Sequence, residues 1–373
     1  MKVNFVDLQL QYEKYLPTVA DKIAGMLASG QFVGGNALEE FEAVFQSFHN
    51  IPYAVGVGSG TDALWLSLKA LGIGPGDEVI VPANTFIATA FAVTHCGADI
   101  KFVDVDPDTY VITPQIIKDN LTRRTRAVIP VHLYGQPCDM PNIMRIAKRY
   151  QLKIVEDCAQ AIGGLVGNVK VGTFGHAGCF SFYPTKNLGG MAQGGAVITN
   201  SREIANTIRS IGNVGRLEGS WFDYGYVGMN SRLDSINACF LKYIIIDNWL
   251  KEWTVDRIGH AMFYNSLLKD VKEVKTPPGP GNGYIPVFHL YELKCENKDT
   301  RDTLKDYLAE HNIGTGLHYP IPCHKQLVYG LKDTLPISEE LSDTLISLPM
   351  HPNLTEEQIT YVCDCIKDFF RGE

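Results

Sequence analysis

Short apolar runs alternate with stretches of helical period between about residues 50 and 200. Tyr53-Ala-Val-Gly-Val-Gly, Glu78-Val-Ile-Val-Pro, Ile100-Lys-Phe-Val-Asp, Ala127-Val-Ile-Pro-Val-His, Lys153-Ile-Val-Glu-Asp, Gly178-Cys-Phe-Ser-Phe and Gly195-Ala-Val-Ile-Thr read as strands, with helices over 61–71 and 88–95. Runs that are apolar on both sides and separated by helices predict an α/β fold, a mostly parallel sheet covered by helices on both faces. Ligands of such sheets bind beyond the carboxyl ends of the strands. Asp157 and the turn Ser59-Gly60-Thr61 fall at two such ends.

The pattern changes after residue 246. Residues 249–268 read as one long helix with a bend at Gly259, and Thr276-Pro-Pro-Gly-Pro-Gly-Asn-Gly is a turn cluster. A strand over 284–293, a helix over 300–311, a loop over 314–325 and a final helix from Thr355 follow. These elements predict a smaller α+β domain. The expected division is a large domain over 1–245 and a small one over 246–373, with about the first 25 residues packing on the latter.

Composition narrows the function classes. With 373 residues, 45% of them hydrophobic and 20% charged, the chain is long enough for two cores. The early charges after Met1 do not fit a signal peptide, and no apolar run approaches the roughly 20 residues of a membrane span. Nine scattered cysteines without a Cys-x-x-Cys pair point to reduced thiols in a cytoplasmic protein rather than a structural metal site. A net charge of −8 argues against nucleic-acid binding, yet a local pocket can still be positive.

Lys186, within Phe180-Ser-Phe-Tyr-Pro-Thr-Lys-Asn-Leu-Gly-Gly, is the first candidate for chemistry. A lysine becomes nucleophilic near neutral pH when apolar or cationic surroundings strip its proton, and Phe180, Phe182, Tyr183 and Pro184 are apolar neighbours. Gly58-Ser-Gly-Thr-Asp-Ala-Leu opens a helix and offers free amides to a phosphate; a plain turn capped by Ser59 or Thr61 is the other reading. Phe86 is a stacking surface for a planar ring or a core aromatic. Asp157 is a structural turn acid or the partner of a cationic ring nitrogen; Gln160 is a first-turn residue or a partner for a ring oxygen. No G-x-G-x-x-G follows the first strand, which sets aside a dinucleotide-binding dehydrogenase.

In order along the chain, Ser59-Gly-Thr-Asp-Ala-Leu, Pro82-Ala-Asn-Thr-Phe, Ile129-Pro-Val-His-Leu-Tyr-Gly-Gln-Pro, Glu156-Asp-Cys-Ala-Gln, Phe180-Ser-Phe-Tyr-Pro-Thr-Lys-Asn, Gly228-Met-Asn-Ser-Arg-Leu-Asp and His318-Tyr-Pro-Ile-Pro-Cys-His resemble the successive motifs of the DegT-like nucleotide-sugar aminotransferases. That resemblance implies the aspartate-aminotransferase fold and pyridoxal 5'-phosphate as cofactor. It implies Lys186 as the Schiff-base lysine and proton shuttle, Asp157 at the pyridine nitrogen, Gln160 at the ring hydroxyl and Phe86 over the ring. Gly60, Thr61 and Ser181 would hold the phosphate, and Asn230 would reach it from the second subunit of a homodimer with a shared active site. The pyrophosphate of such a substrate needs cations; Arg216 and Arg232 are candidates for it, or for structural salt bridges, while His318, Tyr319 and His324 would close the pocket.

The resemblance further implies an amino-acid donor, glutamate in most of the family, and a keto-sugar acceptor on a nucleoside diphosphate. A dTDP-3-keto-6-deoxyhexose is the leading acceptor; a dTDP-4-keto sugar, a UDP-linked 3-keto N-acetyl sugar and a non-catalytic sensor are the alternatives. Two positions bear on this choice. The family's dehydratase branch carries histidine in place of the lysine, so Lys186 favours transamination. Gln193 stands where the family's glycine-rich loop usually has aspartate, which leaves the sugar open.

Overall fold

Seven strands form the central sheet of the computed structural model, which describes residues 1–372. Their order across the sheet is Tyr53–Val57, Gly195–Thr199, Ala177–Ser181, Lys153–Asp157, Thr125–Val128, Glu78–Pro82 and Asp99–Val103. All are parallel in direction except Gly195–Thr199, which pairs antiparallel with both neighbours. Glu78–Pro82 and Gly195–Thr199 are buried along their whole length, as strands covered on both faces must be. Helices flank the sheet, and two apolar clusters pack it, one around Leu66, Ile80, Val128 and Ile154, the other around Phe41, Phe45, Phe180 and Phe182.

A second sheet joins Val274–Lys275, Tyr291–Cys295 and Leu345–Leu348, all antiparallel. Its core is a third cluster, built from Tyr264, Tyr291, Leu304, Ile346, Val362 and Ile366. The helices Trp249–Leu268, Lys298–Glu310 and Glu356–Arg371 supply most of the rest, the last opened by a capping box between Thr355 and Gln358.

Two local expectations need correction, the strand over 284–293 and the run from Ala127 to His132. The strand read over 284–293 divides into Tyr284–Ile285 and Tyr291–Cys295. Pro286 has no amide to give a ladder and Phe288 takes φ of 43°, so the run turns between them. Helix Trp249–Leu268 runs through Gly259 without interruption. The run from Ala127 to His132 leaves regular pairing after Val128, ahead of Pro130; the Ile129 amide still bonds the Ile80 carbonyl, and an isolated Val131–Asp157 bridge follows. The start of the chain divides its contacts: Val3 pairs with Ile313 and Asn353 donates to the Leu10 carbonyl, while helix Leu16–Ser29 packs on Ser235–Ile246. Tyr15 stacks on Trp249 at 3.8 Å.

All nine cysteines are free and buried. Among the described residues no helix is long and apolar enough to cross a membrane.

Candidate active site

Three chain segments converge at the carboxyl edge of the sheet: the end of Lys153–Asp157, the start of helix Gly60–Ala70, and the loop between Ala177–Ser181 and Gly195–Thr199 that carries Lys186. Gly60, Thr61, Phe86, Asp157, Gln160, Ser181, Lys186, His318 and Tyr319 all line one cavity of about 480 Å³, together with Gln193. A reversed strand beside a parallel one makes this possible, because the Lys186 loop closes an antiparallel pair at the strand ends where Asp157 lies.

Asp157 is buried, 5% exposed. Its Oδ2 accepts from Thr89 Oγ1 at 2.8 Å and its Oδ1 from the Ala159 amide at 3.1 Å. Desolvation raises its pKa, against the two hydrogen bonds and the nearby Lys186. Burial lowers Lys186 to about 8, with Asp157 pulling the other way. An amine in that range is substantially free of its proton at mildly alkaline pH, the condition a nucleophilic lysine needs.

Helix Gly60–Ala70 is capped by Ser59, whose hydroxyl accepts from the Asp62 amide at 3.1 Å. The hydroxyl is thus spent on the cap, and the first-turn amides of Gly60 and Thr61 have no intrahelical acceptor. The turn is therefore a capped one that still leaves two amides free to meet an anion. Gly60 is required sterically, since a Cβ there would lie 2.7 Å from Ser181 Cβ. Phe86 is 53% exposed although it lines the cavity, tilted against Tyr319 at 5.7 Å between ring centroids. Gln160 spends Oε1 on the Tyr134 amide at 2.6 Å and one Nε2 hydrogen on Tyr319 Oη at 3.1 Å, which leaves one donor.

Four named candidates stand outside this cavity: His324, Arg216, Asn230 and Arg232. His324 is fully buried and bonded through Nε2 to Glu339 Oε1 at 3.1 Å, so the acid of a neighbouring helix, and no pocket, holds it. Arg216 borders a separate surface cleft with Asn206 and Asn213, its guanidinium 5.4 Å over the Trp221 ring. Asn230 is exposed and accepts from Arg232 Nε at 3.0 Å. The next residue, Ser231, does reach the phosphate turn, accepting from the Gly58 amide at 3.0 Å and donating to Asp62 at 2.7 Å.

Sequence reasoning missed Thr89 and His289. Thr89 lies in the first turn of helix Ile87–Cys96, and nothing in its spacing ties it to Asp157. His289 lines the cavity and is held by Asn187 Oδ1 at 3.2 Å; Asn187 also donates to the Val287 carbonyl at 3.0 Å. Adjacency of Asn187 to Lys186 was the available signal. One cluster of potential metal ligands occurs among the described residues: His132, Glu156 and Cys158. Glu156 accepts from the amides of Gly172, Phe174 and Gly175 and meets His132 Nε2 at 3.1 Å, while His132 Nδ1 accepts from the Cys138 amide. With its carboxylate and imidazole so engaged, the cluster is a hydrogen-bonded brace behind Asp157.

The cavity suits pyridoxal phosphate on its own features. It offers two open helix amides and Ser181 to a phosphate, a half-exposed aromatic face to a ring, a buried carboxylate to a cationic nitrogen, and an amine to an aldehyde. Comparison with known proteins agrees. A pleiotropic regulatory protein of Geobacillus stearothermophilus is 40% identical over 100% of this chain and 99% of its own. The UDP-N-acetyl-3-dehydro-alpha-D-glucosamine 3-aminotransferase of Acidithiobacillus ferrooxidans is 40% identical over 99% and 98%. The dTDP-3-amino-3,6-dideoxy-alpha-D-galactopyranose transaminase of Aneurinibacillus thermoaerophilus is 37% identical over 98% and 99%. The crystal structure of S. venezuelae DesV superposes with a TM-score of 0.94 at 38% identity, covering 99% of this chain and 98% of that one. Residues 17–367 match the DegT/DnrJ/EryC1/StrS aminotransferase family, and the chain belongs to it.

Proposed function

We propose that this protein is a pyridoxal-phosphate aminotransferase that moves an amino group from an amino acid, glutamate in the leading reading, to the keto carbon of a nucleotide-linked 3-keto sugar. The observation that carries the proposal is the shared cavity of Lys186, Asp157 and the Gly60–Thr61 turn. The acceptor is a dTDP-3-keto-6-deoxyhexose. The 40% identity to a UDP-3-keto-sugar aminotransferase favours a UDP-linked 3-keto N-acetyl sugar as the second reading.

Bound pyridoxal phosphate supplies an electron sink for the pair released when a donor amino acid loses its Cα proton. Gly60, Thr61 and Ser181 would hold its phosphate, Phe86 would meet its ring, and Gln160 would offer its remaining donor to the ring hydroxyl. Asp157 would favour a cationic ring nitrogen. Lys186 would hold the aldehyde end and move the donor's Cα proton as general base and acid. His318 and Tyr319 border the sugar side, while Arg216 and His324 require rearrangement or a second copy to take part.

The protein acts as a homodimer in which Asn230 of one copy completes the phosphate site of the other. The exposed Trp221, Phe222 and Val227 beside that segment support this reading, because a free surface rarely carries so much apolar area together. The division into a large domain over 1–245 and a small domain over 246–373 belongs to the same proposal, supported by the separate third core. The protein works in the cytoplasm.

The test is a glutamate-driven assay with dTDP- and UDP-linked 3-keto sugars given separately. Turnover of one and loss of the visible cofactor band on adding glutamate are expected. Lys186→Ala should abolish both turnover and borohydride trapping; retention of wild-type activity refutes the proposal. Mixed dimers of Lys186→Ala and Asn230→Ala chains test the shared site.

A further inference from the structure

Glu292 is a buried acid without a lysine or arginine partner. It sits in strand Tyr291–Cys295, 1% exposed, directly across from Ser347 in the antiparallel register. Ser347 Oγ donates to Glu292 Oε1 at 2.5 Å, and Glu292 Oε2 has no partner. The same hydroxyl lies 2.7 Å from His318 Nδ1, and His318 Nδ1 is 4.0 Å from Glu292 Oε1. His318 lines the Lys186 cavity. The three side chains therefore form an unbroken line from a sealed carboxyl to that cavity.

The rest of the surroundings hold this line in place. The ring of His318 stacks on Phe5 at 5.8 Å, and Gly316 bridges the backbone of Ser347. A void of about 20 Å³, room for one water, borders Glu292 on another side, and Tyr110 and Tyr134 line it too. Tyr110 Oη is buried and likewise has no partner. A merely structural acid here would be replaced at a gain by an apolar residue, since burying a carboxyl with one unmet oxygen costs stability.

Hydrogen-bond logic links the ends. A serine hydroxyl has one proton. When Ser347 donates it to Glu292, His318 must donate Nδ1–H to Ser347, and its Nε2 is a bare acceptor. When Glu292 is protonated at Oε1 and donates to Ser347, the hydroxyl turns to His318 Nδ1, and Nε2 carries the hydrogen as a donor. We propose that Glu292 is a positioning residue that, through Ser347, sets which nitrogen of His318 is protonated and stores a proton arriving at His318 from the cavity.

The transfer balances. A proton binds Nε2; the Nδ1 proton passes to Ser347 Oγ; the serine proton passes to Glu292 Oε1; the reverse sequence returns one proton to the cavity. Its use in amino transfer rests on the function proposed above, whereas the line itself does not. Burial raises Glu292 to about 8 and lowers His318 to about 4, so the acid is the group of the pair that titrates near neutrality. The other titratable groups facing these two are Lys186 and His289 on the cavity side and Tyr110, Tyr134 and Tyr319 around the acid.

Nitrogen NMR of imidazole-labelled, cofactor-free protein tests the line without any turnover, with the His318 signal assigned by its loss in His318→Gln. In the wild type, raising the pH through the titration of Glu292 is expected to move the His318 hydrogen from Nε2 to Nδ1. In Ser347→Ala the tautomer should no longer follow pH, and in Glu292→Gln it should stay fixed. With holoenzyme, both variants should lose the corresponding limb of the kcat/KM profile for the keto-sugar, with a drop of about tenfold in kcat and little change in KM. A His318 tautomer that tracks pH identically in wild type and in either folded variant overturns the proposal. Should Glu292→Gln fail to fold, Ser347→Ala decides alone. A correct NMR result with no turnover on any sugar would refute the aminotransferase reading and leave the proton line standing.

Discussion

Thr89 donates a hydrogen bond of 2.8 Å to Asp157, joining the first turn of helix Ile87–Cys96 to the end of strand Lys153–Asp157. Thr89 is itself met at 3.0 Å by Oγ1 of Thr85, which lies just before the helix, so a second hydroxyl backs the first. The bond favours the charged acid, the form a cationic ring nitrogen requires. Thr89→Val keeps the shape and removes the donor. Asp157 should then hold its proton to higher pH, and cofactor should bind about tenfold or more weakly near neutral pH, as loss of a hydrogen bond to a charged group predicts. Equilibrium dialysis of the variant against pyridoxal phosphate measures it; unchanged affinity would remove Thr89 from the site.

Lys186 gives the cofactor-free protein a defined response to pH. Its folded pKa of about 8 lies below the ordinary value of 10.5. Between those values the unfolded chain binds a proton that the folded chain lacks, so this group's contribution to stability rises with pH through the window and is level below it. Lys186→Met should therefore be more stable than the wild type at neutral pH, by roughly 1–3 kcal/mol after allowing for its contact with the cavity. The difference should shrink as pH climbs toward 10.5. Urea titrations of both cofactor-free proteins across that range provide the check.

Gly60→Ala tests the proposed phosphate cradle by sterics alone. The added Cβ would lie 2.7 Å from Ser181 Cβ and 3.3 Å from its Cα, so backbone must shift at the place where amides converge. Cofactor affinity should fall by about ten- to a hundredfold, with a stability loss of about 1–3 kcal/mol. Gly25→Ala is the control: it lies inside helix Leu16–Ser29 with no atom within 4 Å of a new Cβ. That variant should be slightly more stable and bind cofactor normally.

Glu156→Gln addresses the brace behind Asp157. The wild-type carboxylate is fully buried, accepts three backbone amides and faces a fully buried His132. A glutamine would turn an NH2 group toward at least one of those donors, costing about 3 kcal/mol of unfolding free energy. Denaturant unfolding measures this directly, and a change under about 1 kcal/mol would show that the brace is dispensable.

The sheet was readable because buried parallel strands are short apolar runs, and Glu78–Pro82, Lys153–Asp157 and Gly195–Thr199 coincide with such runs residue for residue. What failed was whatever depends on one residue's local freedom. Pro286 and the positive φ at Phe288 split a stretch whose composition still reads as strand. Within the site, motif order brought together nine of the named residues in one cavity. It misplaced His324, since a histidine in a proline-rich loop carries no mark of which acid will claim it, here Glu339 from helix Pro336–Thr344. Thr89 and Glu292 were illegible for the same reason: their partners lie far away along the chain, and only the fold puts donor beside acceptor.

The nine thiols held inside the protein give it a built-in reporter. None is offered to solvent in the folded state, so a thiol-reactive dye can label the chain only as fast as regions swing open. Because Cys158 follows Asp157 and Cys179 pairs with Asp157 in the next strand, while Cys363 and Cys365 lie in the final helix, peptide-resolved labelling would time the two halves of the molecule separately. A ligand that ties those halves together would slow both clocks at once.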